Sequence, residues 1–384
     1  MSEYQYYEFQ TVGRRLTEKE MRELRAVSSR AEITTTGFTN EYNFGSFKGD
    51  PDKWMEDYFD AFLYLANWGT REFQVALPPE LLPVKTIKAY CSPEGVSVRE
   101  TPGKVIVKIQ LNEEPSGDWL GGEGNLSALL PVREELARGD YRILYLGWLV
   151  SLQTGNAEEE ALEPEVPPNL KQLTNAQNSF VEFFKIDPDL LEAAAGNSPR
   201  IALQPEDPNE LSLWVKSLPG SEKDTILTRL LTDDAGKIGL ELQARFHRQR
   251  NLEPSGSATK LRTGAELLGL ADRIRNERKE TESQKAARAR DERERQAALA
   301  REKHLASLEG KSEVLWTEVE GLIATRLPKN YDLAVNRLAD LRDLAKREDR
   351  AEEFNNRLAD LRKRHSGKGS LKGRMAKAGL EIFD

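Results

Sequence analysis

Apolar positions along this chain change period twice. Tyr4–Thr11 has strand composition, and "RRLTEKEMRELRAVSS" then takes up the three-and-four spacing of a helix. Thr17 is placed to accept from the amide of Glu20 while the Glu20 side chain reaches back, a reciprocal capping box. "DPDKWMEDYF" offers a second helix, with Pro51 in the first turn, where a missing N–H costs nothing. From Phe62 the period is two. "FLYLANWGTREFQVAL" predicts a hairpin with Phe73, Val75 and Leu77 on one face. "VKTIKAYC", "GVSVRE" and "KVIVKIQL" continue as strands, turned at Pro93-Glu94-Gly95 and Pro102-Gly103. Consecutive strands with short turns make an antiparallel sheet. The first domain, 1–154, is therefore expected to be α+β and not a doubly wound nucleotide fold.

The helical period returns at Leu126–Arg138 and Asp140–Thr154. An acidic, proline-bearing stretch, "GNAEEEALEPEVPPN" at 155–169, reads as a linker, and 170–251 as an all-helical domain, several of whose segments open on Asp or Ser caps. A single helix is then expected over 263–309. Between Ile274 and Leu305 its only large aliphatic residue is Leu299, so the apolar seam of a coiled coil is missing. Opposite charges sit four apart at Arg273–Glu277, Arg278–Glu282, Arg288–Glu292, Arg290–Glu294 and Asp291–Arg295. At ~0.2–0.5 kcal/mol each they support a solvated helix without burying it. The expected object is a charged strut on the order of 50 Å long, at about 1.5 Å per residue, holding the last module away from the body.

That last module, 312–366, contains "NRLADLR" twice, at Asn336–Arg342 and Asn356–Arg362. Tyr331, Val335, Leu338 and Leu341 fall on one helical stripe, as do Phe354, Leu358 and Leu361. With "SEVLWTEVEGLIATRL" these predict a small antiparallel bundle in which the repeated leucines fill one seam while Arg and Asp face water. The segment 367–384 reads as a basic tail.

Charge sharpens this division. The net charge of −8 is uneven: residues 1–250 carry 27 Lys/Arg against 40 Asp/Glu, and residues 251–384 carry 29 against 24. A basic end of this kind suits an acidic partner. Arg362, Lys363, Arg364, Lys368, Lys372, Arg374 and Lys377 are the candidate binding residues, for nucleic acid through its phosphates or for an acidic protein surface. Fifteen of the 29 aromatic residues lie in the first 75, but without a basic excess around them they predict a packed sheet core sooner than a base-stacking surface. No apolar run approaches the ~18–20 residues that cross a bilayer, and the N-terminus has no secretion-signal pattern. With one cysteine, Cys91, no internal disulfide can form, so the chain is expected to be soluble and cytoplasmic.

Candidate chemistry is sparse. His247, His304 and His365 are far apart, and one cysteine cannot start a zinc site. Cys91, expected in a strand before a turn, reads as a quiet, partly buried thiol. The Gly-rich "SGDWLGGEGNLSALL" at 116–130 has the wrong spacing for a phosphate loop and no basic residue. It predicts a loop capped by Asn125 or Ser127. No catalytic, cofactor-binding or metal-ligating residue is assigned, and no cofactor is expected.

Two stretches carry a resemblance. "YQYYEFQTVGRRLTEKEMRELRAVSSRAEIT" with "NEYNFGSFKGDPDKWMEDYFDAFLYLANWGT" resembles the N-terminus of a widespread bacterial family described only as uncharacterised. "LWTEVEGLIATRLPKNYDLAVNRLADLRDLAKREDRAEEFNNRLADLRKRH" is similar to its helical tail, and to tails of proteins accompanying bacterial SWIM-type zinc-finger proteins. The resemblance implies a bacterial cytoplasmic protein and brings no activity. The SWIM Cys/His motif is absent, so zinc binding does not carry over. The expected function is a non-catalytic interaction or scaffold protein, a subunit or adaptor of a multiprotein assembly with a protein partner and no membrane. The alternatives are a nucleic-acid-associated protein using the basic segment, and an enzyme whose site forms only in space.

Overall fold

The computed structural model describes residues 3–112, 122, 124–200, 208–232, 238–239, 241–242, 245–246 and 262–380. The capping box at Thr17 opens α1 (Glu18–Val27), with both reciprocal hydrogen bonds formed, and Pro51 opens α2 (Pro51–Asp57) behind an Asp50 cap. The strands are β1 (Gln5–Gln10), β2 (Glu32–Ile33), β3 (Gly37–Tyr42), β4 (Ala61–Ala66), β5 (Arg71–Leu77), β6 (Val96–Thr101) and β7 (Lys104–Leu111). They form one antiparallel sheet in the order β2-β3-β1-β4-β5-β7-β6.

One expected strand is a helix. Within "VKTIKAYC" the segment Val84–Lys88 forms α3, a single turn after Pro83. Val84, Ile87 and Tyr90 are three apart and place one face against the core, a spacing that a period-two reading of β-branched residues overlooks. The consequence is topological. The chain leaves β5, passes through α3, enters β6 at the sheet edge and returns through β7 beside β5, so the sheet is not a simple meander. Cys91 follows that helix instead of ending a strand; it is half-buried, and burial pushes its thiol up, which disfavours the thiolate.

The two sheet faces build two cores. Phe9, Phe38, Trp54, Phe59 and Phe62 form an aromatic cluster under α2, with Phe9 and Phe62 stacked at 4.3 Å, so the early aromatics are a sheet core. The opposite face carries Leu63, Phe73, Val75, Val107 and Ile109. Against it lie α4 (Asn125–Leu129), α5 (Pro131–Ala137) and α6 (Arg142–Gln153), and α6 is buried over most of its length. Gly147 is what lets α6 approach: a Cβ there would lie 2.8 Å from Val96 and 3.1 Å from Ile109. Much of the 116–130 loop lies outside the described residues. Its end is capped by neither expected residue, because Gly124 is the N-cap and Asn125 and Ser127 donate to backbone carbonyls.

The 155–169 stretch does not divide two cores. Ala157, Val166 and Leu170 are buried in the same cluster as the sheet, and so are residues of α7 (Asn175–Phe183) and α8 (Pro188–Ala195). Phe180 meets Phe73 of β5 at 6.3 Å. Glu158–Glu160 and Glu165 are exposed here, while Glu163 is buried in a pair with Arg262 at 2.5 Å and Val166 and Pro167 are buried beside it, which keeps the chain on the body. Two further helices, α9 (Pro208–Ser217) and α10 (Gly220–Thr232), come next; His247 and the end of the expected helical domain lie outside the described residues.

The chain divides into two compact units, Met1–Arg278 and Lys279–Asp384, and the division falls within the long helix α11 (Gly264–Leu308). In the first unit α11 is fastened by Leu267 and Ala271, and by Arg278 on Asp189 at 2.8 Å. From Asn276 to Ala300 every residue is exposed, and no residue of either core lies between Ile274 and Leu305. Among the described residues, Arg290–Glu294 forms as expected at 3.0 Å, whereas Arg278 turns from Glu282 to Asp189. The second unit contains α12 (Ser312–Ala324), α13 (Pro328–Arg347), α14 (Ala351–Arg364) and α15 (Gly369–Lys377) around one apolar seam, which includes all four repeated leucines. No described helix is long and apolar enough to cross a membrane.

Candidate interaction site

The basic residues near the C-terminus do not form a free tail. Helix α15 seats Leu371 and Met375 in the bundle core, joined by Leu380, because these apolar residues return at helical spacing within the positive run. Three of the seven candidates are committed to contacts within the bundle. Arg364 pairs with Glu320 at 2.5 Å, Lys368 donates to the Ile323 carbonyl at 3.0 Å, and Arg374 pairs with Asp332 at 2.6 Å. Arg362, Lys363, Lys372 and Lys377 form no ion pair or side-chain hydrogen bond among the described residues.

A groove of about 260 Å³ lies between α12 and α14, lined by Trp316, Thr317, Glu320, Arg357, Asp360 and Arg364. Of these Trp316 is buried, packed on Phe354 at 5.8 Å and covered by the Arg357 guanidinium at 4.8 Å. Arg357 also grips Glu313 with both terminal nitrogens. Glu320 is shared by Arg364 and by His365, whose Nε2 lies 3.2 Å away. Asp360 is exposed and has no such partner among the described residues.

The equivalent carboxylate in the first heptapeptide is placed differently. Asp340 is only 4% exposed, against the expectation that the repeat's aspartates face water. Arg301 of α11 bonds it, His304 Nε2 lies 3.1 Å from it, and Arg337 reaches it at 3.6 Å. Arg301 also holds Asp343 at 2.7 Å. Burial alone would raise the Asp340 carboxyl, but the bonds and charge of His304 and Arg301 hold it below its ordinary value of 3.8. The sequence carries a signal for this clamp in Arg301 and His304, one turn apart where α11 regains leucines.

A polar cluster lies on the sheet of the first unit. Lys108 of β7 is 3.2 Å from Glu72 of β5 and 3.5 Å from Asp52 at the start of α2. Gln74 donates to both carboxylates, at 2.6 and 2.8 Å. Burial pushes Glu72 up. Asp52, also raised by burial, ends below its usual range through Gln74, Lys108 and Arg99. Divergent carboxylates are an acid–base pattern, but here one ammonium ion serves both and the network fastens α2 to the sheet. Among the described residues no group of three or more His, Cys, Asp or Glu is placed to hold a metal ion. No protein-family model, curated protein or solved structure matches this chain.

Proposed function

We propose that this chain is a non-catalytic interaction protein, a subunit or adaptor of a bacterial multiprotein assembly, and that its C-terminal helical bundle carries the binding surface. The observation that carries the reading is the exposure of α11 from Asn276 to Ala300 ahead of a bundle with its own core. A helical stretch with no apolar seam contributes nothing to either core, so its use lies in presenting the bundle at its C-terminal end. The experiment is native purification from a gentle lysate, with cross-linking and mass spectrometry. Stable co-elution with one defined protein, cross-linked through residues 312–380, is the expected result; recovery as a single species overturns it.

A second reading, nucleic-acid association, is favoured by Arg362, Lys363, Lys372 and Lys377, four cations without a partner among the described residues. Deleting 361–384 is not a fair test, because it strips Leu361, Leu371, Met375 and Leu380 from the core. Neutralising the four to Gln leaves those core residues in place. If they meet duplex phosphates, the slope of log K on log salt becomes shallower by about 3 to 4. An unchanged slope removes this reading.

A further inference from the structure

The two heptapeptides hold the same carboxylate in two conditions. At Asp340 it is closed over by Arg301 and His304, two donors one turn apart on a single helix. At Asp360 it stands open at the groove between α12 and α14. The other charges of that groove are committed: Arg357 to Glu313 and the Trp316 face, Arg364 and His365 to Glu320. The uncommitted charge is acidic, so what the groove lacks is a cation. Its volume, about 260 Å³, falls below the ~300–1,000 Å³ of small-molecule pockets, which leaves room for one or two side chains of a macromolecular partner. Arginine suits an exposed carboxylate, since its planar guanidinium pairs with both carboxylate oxygens.

We propose that this groove docks a helix of another protein that presents an arginine and, one turn later, a second basic donor, with Asp360 receiving the arginine as Asp340 receives Arg301. The inference rests on the reading of the chain as an interaction protein and names the chemistry of its partner. One difference sets the strength. Asp343, which shares Arg301, is replaced at the matching position by Lys363, so the open site offers one carboxylate where the closed one offers two. The docking is therefore weaker than the internal clamp and reversible.

The chain supplies its own probe: a helix-stapled, fluorescein-labelled peptide of residues 296–309, carrying Arg301 and His304, titrated against the full-length protein by fluorescence anisotropy. Saturable binding is expected, weakened tenfold or more by Asp360→Asn in the protein and by Arg301→Ala in the peptide. No saturable binding, or binding that Asp360→Asn leaves unchanged, overturns the proposal; the second outcome includes a probe that merely displaces α11 from Asp340. Circular dichroism checks that the exposed substitution leaves the fold intact. A natural partner that co-purifies equally well with the Asp360→Asn protein sinks this inference and leaves the interaction reading standing.

Discussion

In the first heptapeptide Leu338 and Leu341 are buried and Asp340 is enclosed by Arg301, His304 and Arg337; in the second, Leu358 and Leu361 are buried as fully while Asp360 meets solvent. Identical letters therefore share their apolar roles and not their polar ones. The leucines sit three apart, and helical periodicity alone turns both toward the seam. A carboxylate's role is set by what stands across from it, and that comes from distant sequence: α11 for Asp340, the groove beside α12 for Asp360. The arginines repeat the lesson, since Arg337 reaches Glu318 at 3.1 Å as well as Asp340, while its counterpart Arg357 lies on Trp316.

The apolar half of this comparison can be broken by truncating each copy in turn. Leu338→Ala and Leu358→Ala each remove a fully buried side chain, and each should destabilise the bundle by roughly 2–5 kcal/mol. The measurement is amide hydrogen exchange across 312–364, which reports the second unit without interference from the first. A large loss of protection for one variant and none for the other would end the claim that the leucines are equivalent.

Next in size is the closed carboxylate. Asp340→Asn leaves Arg301 and His304 facing a neutral amide, and should cost about 1.5–3 kcal/mol, the range for a hydrogen bond to a charged group. Acid tests the same point with a definite sign. Asp340 and Asp343 are held below 3.8 in the folded chain, so the unfolded chain binds their protons first as pH falls. Their contribution is complete above about pH 5 and is lost as pH drops through the folded values. The parent and Asp340→Asn should thus differ most near neutrality and converge in acid. A gap that widens in acid would contradict the clamp.

Legibility in the sequence divides along the same line. The antiparallel sheet, the Thr17 box, the solvated stretch of α11 and the repeat's apolar stripes all depend on spacing within one element, and spacing is visible in sequence. The turn at Val84–Lys88 escapes such a reading because a five-residue segment with three β-branched side chains fits either period. The 155–169 stretch reads as a linker from its charges and prolines, although Ala157 and Val166 within it decide where it lies. The groove is not legible at all: it needs Trp316, Arg357 and Asp360 brought together by two helices, and no single-element pattern contains that pairing. Among the basic residues, the apolar Leu371 and Met375 are the overlooked signal that the segment folds back.

The smallest expected effect is the sharpest test of the open copy. Asp360 is exposed and bonds nothing among the described residues, so Asp360→Asn should change stability by no more than about 0.5 kcal/mol, as surface substitutions do. Equal costs at 340 and 360 would mean that Asp360 has an internal partner and that the groove is closed in solution. Lys363→Asp goes the other way, since it restores at the second copy the acid that Asp343 supplies at the first. Its stability should again move little, for Lys363 is exposed and unpaired among the described residues. Affinity for the arginine-bearing peptide should rise threefold or more, because a second carboxylate then shares the guanidinium, as Asp343 shares Arg301. An affinity that falls would show that the surroundings of Lys363, and not the absent acid, distinguish the two copies.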